Sequence, residues 1–316
     1  MRCLITGVNG FIGRNVASEL LSNGYEVIGA GRDAENKNNL DHYSVMGSID
    51  ADTDWAPVLE NVNAVVHLAA RAHVVRDKAK EPLEEFRQVN VEGTMRLARQ
   101  AEQAGVRRFL FISSIGVHGN TSREPFRFDD MVSPLEAYAI SKWEAEKQLF
   151  EFGKKNMMEI VVIRPPLVYG AQAPGNFRRL LSALRKNVPL PFGAVYNQRT
   201  LVSIGNLVSL IRRCIEHPAA ANQTFLAGDR EDISTTQLLR RLGDALGHPA
   251  RLLPVPVKWL ELAGAMAGKK GVIQKICGNL QVNIDNTCEI LEWMPPYSLD
   301  ESFRQMAEGL NDEARV

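Results

Sequence analysis

A chain of 316 residues, 45% hydrophobic and 23% charged, has the composition of an ordinary globular protein and room for one large domain or two smaller ones. Lysine plus arginine and aspartate plus glutamate both number 37, so no net field recruits nucleic acid or acidic membranes. Cys3, Cys214, Cys277 and Cys288 lack the spacing of a zinc site or a disulfide framework; reduced thiols and no metal are expected.

In chain order, Met1-Arg2 run straight into an apolar stretch, Cys3–Thr6, too short for a signal peptide or a membrane span. The first two-thirds then alternates short β-branched runs with helical patterns, the rhythm of βαβ units and a parallel sheet. The strands expected are Cys3–Thr6, Glu26–Ala30, a weaker Tyr43–Met46, Ala64–Leu68, Arg108–Ser113 and Ile160–Arg164. Between them fall helices at Arg14–Ser22, Pro82–Ala104 and Leu135–Asn156. The second of these carries Leu83, Phe86, Val89, Leu97 and Ala101 on one face, and Gly105 ends it.

From Tyr169 the texture changes: Ala171–Gly175 and Val188–Gly193 are rich in proline and glycine and read as loops over a binding site. A helix over 201–217 and a strand at Gln223–Leu226 that rejoins the sheet are followed by helices at Thr235–Leu246 and Lys258–Ala267 and a tail ending in Trp293-Met294-Pro295-Pro296. The apolar stretch Val255–Gly268 is broken by Pro256, Lys258 and Glu261 and does not span a membrane. The fold expected is α/β, a Rossmann-type doubly wound parallel sheet. Residues 1–168 with 200–227 would form the dinucleotide-binding domain, and 169–199 with 228–316 a smaller substrate-binding lobe. A cytoplasmic protein without membrane insertion fits this reading.

Three motifs carry chemistry. Thr6-Gly7-Val8-Asn9-Gly10-Phe11-Ile12-Gly13 lies between a strand and a helix. Gly7 permits the tight turn, Gly10 lets backbone approach a pyrophosphate, and Gly13 lets the helix pack close, so Gly7, Asn9, Gly10, Phe11, Ile12 and Gly13 are candidate cofactor contacts. Tyr138 and Lys142 stand four apart on a helix, on one face; a nearby cation would pull a phenol's pKa from near 10 towards the working range. Ser114 ends the strand Phe109-Leu110-Phe111-Ile112, and strand carboxyl ends are where open α/β sheets put ligands. Each motif has a bland alternative: a plain glycine turn, a surface Tyr and Lys, a turn-capping serine. Their occurrence together, in this order, makes the assignment.

After the second strand the chain reads Gly31-Arg32-Asp33. An arginine there can pair with a 2′-phosphate, which favours NADP(H); Asp33, 20 residues after Gly13, leaves NAD(H) possible.

The chain resembles the extended short-chain dehydrogenases/reductases, specifically the UDP-glucose 4-epimerase-like enzymes of nucleotide-sugar metabolism. The resemblance rests on the glycines, His67-Leu68-Ala69-Ala70, Asn90 before Val91-Glu92-Gly93-Thr94, Ser114, Tyr138/Lys142, and Arg164-Pro165-Pro166-Leu167-Val168-Tyr169-Gly170. It implies catalytic Ser114, Tyr138 and Lys142, with Lys142 also on the nicotinamide ribose. It further implies cofactor contacts at Leu68, Ala69, Ala70, Asn90, Pro165 and Leu167. Gln198–Ile204 is similar to the family segment whose arginine grips the substrate's diphosphate, which gives that role to Arg199; Asn176 before Phe177 matches an asparagine near the nucleotide. His73 is a further candidate substrate contact. The family often dimerises through the two long helices, so a homodimer is expected.

Departures narrow the reading. Ile115-Gly116 stand where family dehydratases carry an Asp-Glu pair, which argues against a 4,6-dehydratase. His118 replaces the tyrosine of the family's Val-Tyr-Gly element, and no role is assigned to it. The favoured activity is reduction of a UDP-linked 4-keto-6-deoxy (N-acetyl)hexosamine, as in bacterial surface-polysaccharide pathways. The alternative is a UDP-sugar 4-epimerase. A catalytically inactive dinucleotide-binding scaffold is disfavoured, because it would need none of Ser114, Tyr138 and Lys142.

Overall fold

The computed structural model describes residues 1–34, 40–72 and 81–313. Its strands are β1 (Arg2–Thr6), β2 (Glu26–Gly31), β3 (His42–Val45), β4 (Ala64–His67), β5 (Arg108–Ile112), β6 (Glu159–Arg164), β7 (Leu167–Tyr169), β8 (Arg199–Ser203), β9 (Gln223–Leu226) and β10 (Asp232–Ile233). Seven of them form a parallel sheet in the order β3-β2-β1-β4-β5-β6-β9, and β10-β8-β7 make a small second sheet. This is the doubly wound Rossmann-type α/β fold expected.

The central strands are continuous apolar runs because helices cover both faces. On one side Ile5, Ile163 and Phe225 pack with helices Phe11–Ser22 and Ile204–Glu216 through Val16, Leu20, Leu207 and Ile211. On the other, Leu4, Val65, Phe109 and Phe111 pack with Thr94–Gln103 and Ala137–Lys155 through Leu97, Ala101, Ala145 and Leu149. A third cluster, with Tyr169, Phe177, Leu239 and Phe303, sits beside the small sheet.

Register decides where a site can form. Thr6 stands opposite both Ala30 and His67, His67 opposite Phe111, and Ile112 opposite Ile163, so the carboxyl ends of β1, β4, β5 and β6 share one edge. Strand order reverses between β1 and β4, the place where such sheets open a crevice for ligand.

Four local readings differ from the sequence. The first helix starts at Phe11 rather than Arg14, with Gly10 at its N-cap. The long second helix is broken by a π turn, Gln88–Gly93, between Pro82–Arg87 and Thr94–Gln103. Residues 201–203, expected helical, belong to β8. The apolar run Leu201-Val202 continues past Ser203 into Ile204 without a breaker, so periodicity could not divide it; the division comes from Ser203, whose hydroxyl caps the helix by accepting from Asn206 N at 3.1 Å. Near the C-terminus, helices Lys270–Cys277, Asp285–Leu291 and Leu299–Glu313 replace what read as a tail.

Candidate active site

The loop after β1 is shaped by contacts only glycine permits. Gly7 has φ +66°, and a Cβ there would lie 2.9 Å from the Ala69 nitrogen. A Cβ on Gly13 would meet the Gly7 carbonyl oxygen at 2.3 Å and Val8 Cα at 2.8 Å. Both neighbours are backbone, so neither can yield. Gly10 N–H donates to the Gly7 carbonyl at 2.9 Å, and among the described residues no side chain caps the helix that begins at Phe11. Its first N–H groups therefore keep the free donors that suit a pyrophosphate. Asn9 Nδ2 donates to Tyr43 Oη at 2.9 Å, and Tyr43 Oη to the Asp33 carbonyl at 2.6 Å, closing the loop against the end of β2. Phe11 and Ile12 are half-buried, packed against the third and first core clusters. Arg32 is exposed.

The ends of β1 and β4 are joined by a buried polar chain. Thr6 Oγ1 accepts from Leu68 N at 3.2 Å and Ala69 N at 3.1 Å and lies 2.8 Å from His67 Nδ1. His67 Nε2 lies 2.9 Å from Thr94 Oγ1, whose proton goes to the Asn90 carbonyl at 2.8 Å. With the Thr94 proton committed, Thr94 must accept from the ring, which fixes His67 as the Nε2–H tautomer. Burial, aided by Lys142, pushes His67 down to about 3, so the ring is neutral. The buried Asn90, in the π turn, accepts from Arg71 N at 2.8 Å and donates to the Arg71 carbonyl at 3.1 Å and Ser141 Oγ at 3.0 Å. It thereby ties the segment Leu68-Ala69-Ala70-Arg71 to the helix that carries Tyr138.

Ser114 caps the short turn after β5, accepting from Gly116 N at 3.1 Å. A Cβ on Gly116 would lie 3.5 Å from Ala139 Cβ, so the helix starting at Ala137 packs directly on this turn. From that helix, buried Lys142 donates to the Ile112 carbonyl at 2.8 Å; its Nζ is 4.2 Å from the centroid of Phe111 and 6.0 Å from that of Tyr138. Pro165 enters the same corner, its carbonyl accepting from Ile115 N at 2.9 Å. Leu167 follows on β7, exposed.

One expectation about this pair is corrected. Burial pushes the Tyr138 hydroxyl up to about 12 instead of the cation pulling it down, and burial also drops Lys142 to about 7, with Glu146 opposing that fall. Desolvation dominates both groups, and Lys142 Nζ, bonded to the Ile112 carbonyl and 6.0 Å from the Tyr138 ring centroid, does not offset it.

Sequence reasoning missed the set behind Lys142. Glu146 is fully buried one helical turn on, held by Arg164 with Nη2 at 2.6 Å and Nε at 3.1 Å. Arg164 Nη1 also lies 2.8 Å from His118 Nε2, and burial and Arg164 push His118 down to about 4. The readable signal was the continuing spacing of Tyr138, Lys142 and Glu146.

The substrate candidates are more scattered. Arg199 Nη1 donates to the carbonyls of Lys275 (2.6 Å) and Gly278 (3.2 Å), clamping the end of helix Lys270–Cys277. Lys275 Nζ in turn pairs with Glu136, the N-cap of the Tyr138 helix, at 2.5 Å. Asn176 is exposed in the first turn of helix Asn176–Arg185. His73 lies outside the described residues.

These contacts bring the glycine loop, Leu68, Ala69, Asn90, Ser114, Tyr138, Lys142 and Pro165 to the carboxyl edge of the sheet, and the donors of the loop fit a dinucleotide pyrophosphate. Known proteins agree with that arrangement. Over 310 residues the chain is 47% identical to a UDP-glucose 4-epimerase of Vibrio cholerae, covering 97% of this chain and 94% of the relative. It is 25% identical over 312 residues to the N-acetyl-alpha-D-glucosaminyl-diphospho-ditrans,octacis-undecaprenol 4-epimerase of Escherichia coli O157:H7, covering 94% and 92%. The crystal structure of Thermotoga maritima UDP-glucose 4-epimerase with UDP-glucose superposes with a TM-score of 0.79 at 23% identity, covering all of both chains. Residues 3–228, from the first strand past β9, match the model of the NAD dependent epimerase/dehydratase family, and with the glycine loop, Ser114, Tyr138 and Lys142 all in place the chain belongs to that family.

Proposed function

We propose that this protein is an NAD-dependent 4-epimerase acting on a hexose carried by a diphosphate, with a UDP-hexose as the first substrate to try. The observation that carries the reading is 47% identity, across nearly the full length of both chains, to a UDP-glucose 4-epimerase. That relationship favours epimerisation over the 4-ketoreductase the sequence suggested. The diphosphate is the feature shared by the sugars of both relatives named above.

A bound nicotinamide supplies the two-electron acceptor and donor carbon and, when oxidised, a positive charge. This chain's residues would do the rest. Tyr138 takes the proton from the sugar's 4-hydroxyl and returns it when the ketone is reduced on its opposite face. Ser114 hydrogen-bonds the same oxygen, and Lys142, anchored on the Ile112 carbonyl, would hold the nicotinamide ribose; burial, not Lys142, sets the Tyr138 hydroxyl in this pocket. The free N–H groups at Phe11 and beyond hold the pyrophosphate, with Gly7, Asn9, Gly10 and Gly13 shaping the loop. Leu68, Ala69 and Ala70 line the ribose side, held in place by Asn90, and Pro165 and Leu167 flank the nicotinamide. Arg199, with one nitrogen on helix carbonyls, offers its remaining N–H groups to the diphosphate, and Asn176 the nucleotide side.

The same geometry shifts the cofactor preference towards NAD. Asp33 Oδ1 stands 3.4 Å from Asn9 Nδ2 of the glycine loop, and a carboxylate there accepts from a ribose 2′-hydroxyl and repels a 2′-phosphate. The test is incubation with UDP-glucose, with no reductant added. Appearance of UDP-galactose supports the epimerase; conversion only of 4-keto sugars, at the expense of added NADH or NADPH, returns the assignment to a reductase.

A further inference from the structure

Residues 257–277 form a hairpin of helices Val257–Met266 and Lys270–Cys277 whose outer face is apolar and uncovered. Trp259, Leu262 and Met266 fall on one side of the first helix, at helical spacing, and are 65%, 55% and 83% exposed; Val272 on the second is 45% exposed. The inner side holds the hairpin together: Leu260 and Gly264 are buried, and a Cβ on Gly264 would lie 2.5 Å from Ile273 Cγ1. A helix apolar on both sides normally has both sides covered.

We infer that this hairpin docks on an anionic lipid bilayer surface, seating Trp259, Leu262 and Met266 among the headgroups and upper acyl chains. Three observations choose that occupant. The span 257–277 carries Lys258, Lys269 and Lys270 against one acid, Glu261, with Lys275 paired to Glu136, so a locally basic rim flanks the apolar face although the whole chain is neutral. Helices of ten and eight residues rise only about 15 and 12 Å, too short to cross a bilayer but suited to lying in its interface. A tryptophan with lysines flanking an apolar helix face is the composition of interfacial segments. A second copy of the chain fits poorly, because a two-fold contact would bring two equally basic patches, each with Lys258, Lys269 and Lys270, together.

The hairpin is also a fixed part of the body. Asn197 Nδ2 donates to the carbonyls of Ile276 at 3.0 Å and Gly278 at 2.9 Å, and Thr235 Oγ1 donates to Ile276 at 2.6 Å, beside the Arg199 clamp. Docking would therefore hold the whole molecule, not a loose arm, at the surface.

The experiment is flotation of the full chain with vesicles of phosphatidylglycerol and phosphatidylethanolamine, against pure phosphatidylcholine, with tryptophan quenching by brominated acyl chains. The chain should float with the anionic vesicles, and Trp259→Phe should float but lose most of the quenching, since Trp55 and Trp293 are buried and Trp143 is half-buried between Lys147 and Arg164 on the Tyr138 helix. The combined substitution Trp259→Ser, Leu262→Ser, Met266→Ser should lower partitioning by roughly tenfold or more. Lys269→Gln with Lys270→Gln should lower it about thirtyfold on anionic vesicles. Neither set should change turnover of a soluble UDP-sugar. Absence of flotation, equal binding to phosphatidylcholine, or binding indifferent to these substitutions overturns the inference. So does a loss of self-association in the serine variant without any change in vesicle binding, which would make a second copy the occupant.

Discussion

Asn90 gives the sharpest mutational test of how the site is built. Its buried amide makes three bonds, to Arg71 N, the Arg71 carbonyl and Ser141 Oγ, and these connect the segment after β4 to the Tyr138 helix. Each such bond contributes about 1 kcal/mol net, so losing three should cost Asn90→Ala about 2–4 kcal/mol. Asn90→Asp keeps the shape but has no protons for the Arg71 carbonyl. Burial would raise the new carboxyl's folded pKa above its unfolded value of about 4. The unfolded chain then releases its proton first, and the penalty relative to wild type grows as pH rises from about 4 to neutrality. Urea unfolding of wild type and both variants at acidic and neutral pH, with unchanged m-values, reads both effects. A loss under about 0.5 kcal/mol for the alanine variant, or a pH-independent aspartate variant, would mean that Asn90 does not join these elements.

Other outcomes follow from the same geometry. Tyr138→Phe should cut turnover at least about a hundredfold while dinucleotide affinity stays near wild type; retained activity above a tenth of wild type would remove Tyr138 from the chemistry. Gly13→Ala should abolish dinucleotide binding, since the new Cβ meets backbone at 2.3 Å, whereas Gly105→Ala, with open space and φ +78°, should cost stability alone; titration with NAD separates the two. His67 sits at about 3 when folded against 6.5 unfolded. The unfolded chain therefore binds the extra proton, stability falls as pH drops from 6.5 towards 3, and His67→Asn should flatten that slope in urea midpoints measured across the window.

The parts legible in the sequence were those that local chemistry dictates. Short apolar runs such as Phe109-Leu110-Phe111-Ile112, too brief for a helix, read as strands covered on both faces, and the glycines at 7, 10 and 13 announce the turn before the first helix. What escaped depends on long-range partners. β8 exists because it pairs with β7 and β10, neither of them adjacent to it in sequence. The Glu146–Arg164–His118 set joins residues far apart in sequence, and its carboxylate is tolerable inside only because the guanidinium meets it. The acidity of Tyr138 was misjudged for a related reason: spacing shows a lysine nearby but not that burial outweighs it or that Ile112 already holds the ammonium.

The central claim is that oxidation and re-reduction occur at one carbon without exchange of the cofactor, and a substrate labelled with deuterium at carbon 4 tests it most directly. With UDP-[4-deutero]glucose and unlabelled NAD in the medium, the account predicts UDP-galactose that keeps the deuterium at carbon 4 while the external NAD stays unlabelled. Deuterium appearing in the external nicotinamide, with consumption of that cofactor matching product formed, would contradict it and identify an enzyme that exchanges its cofactor at every turnover.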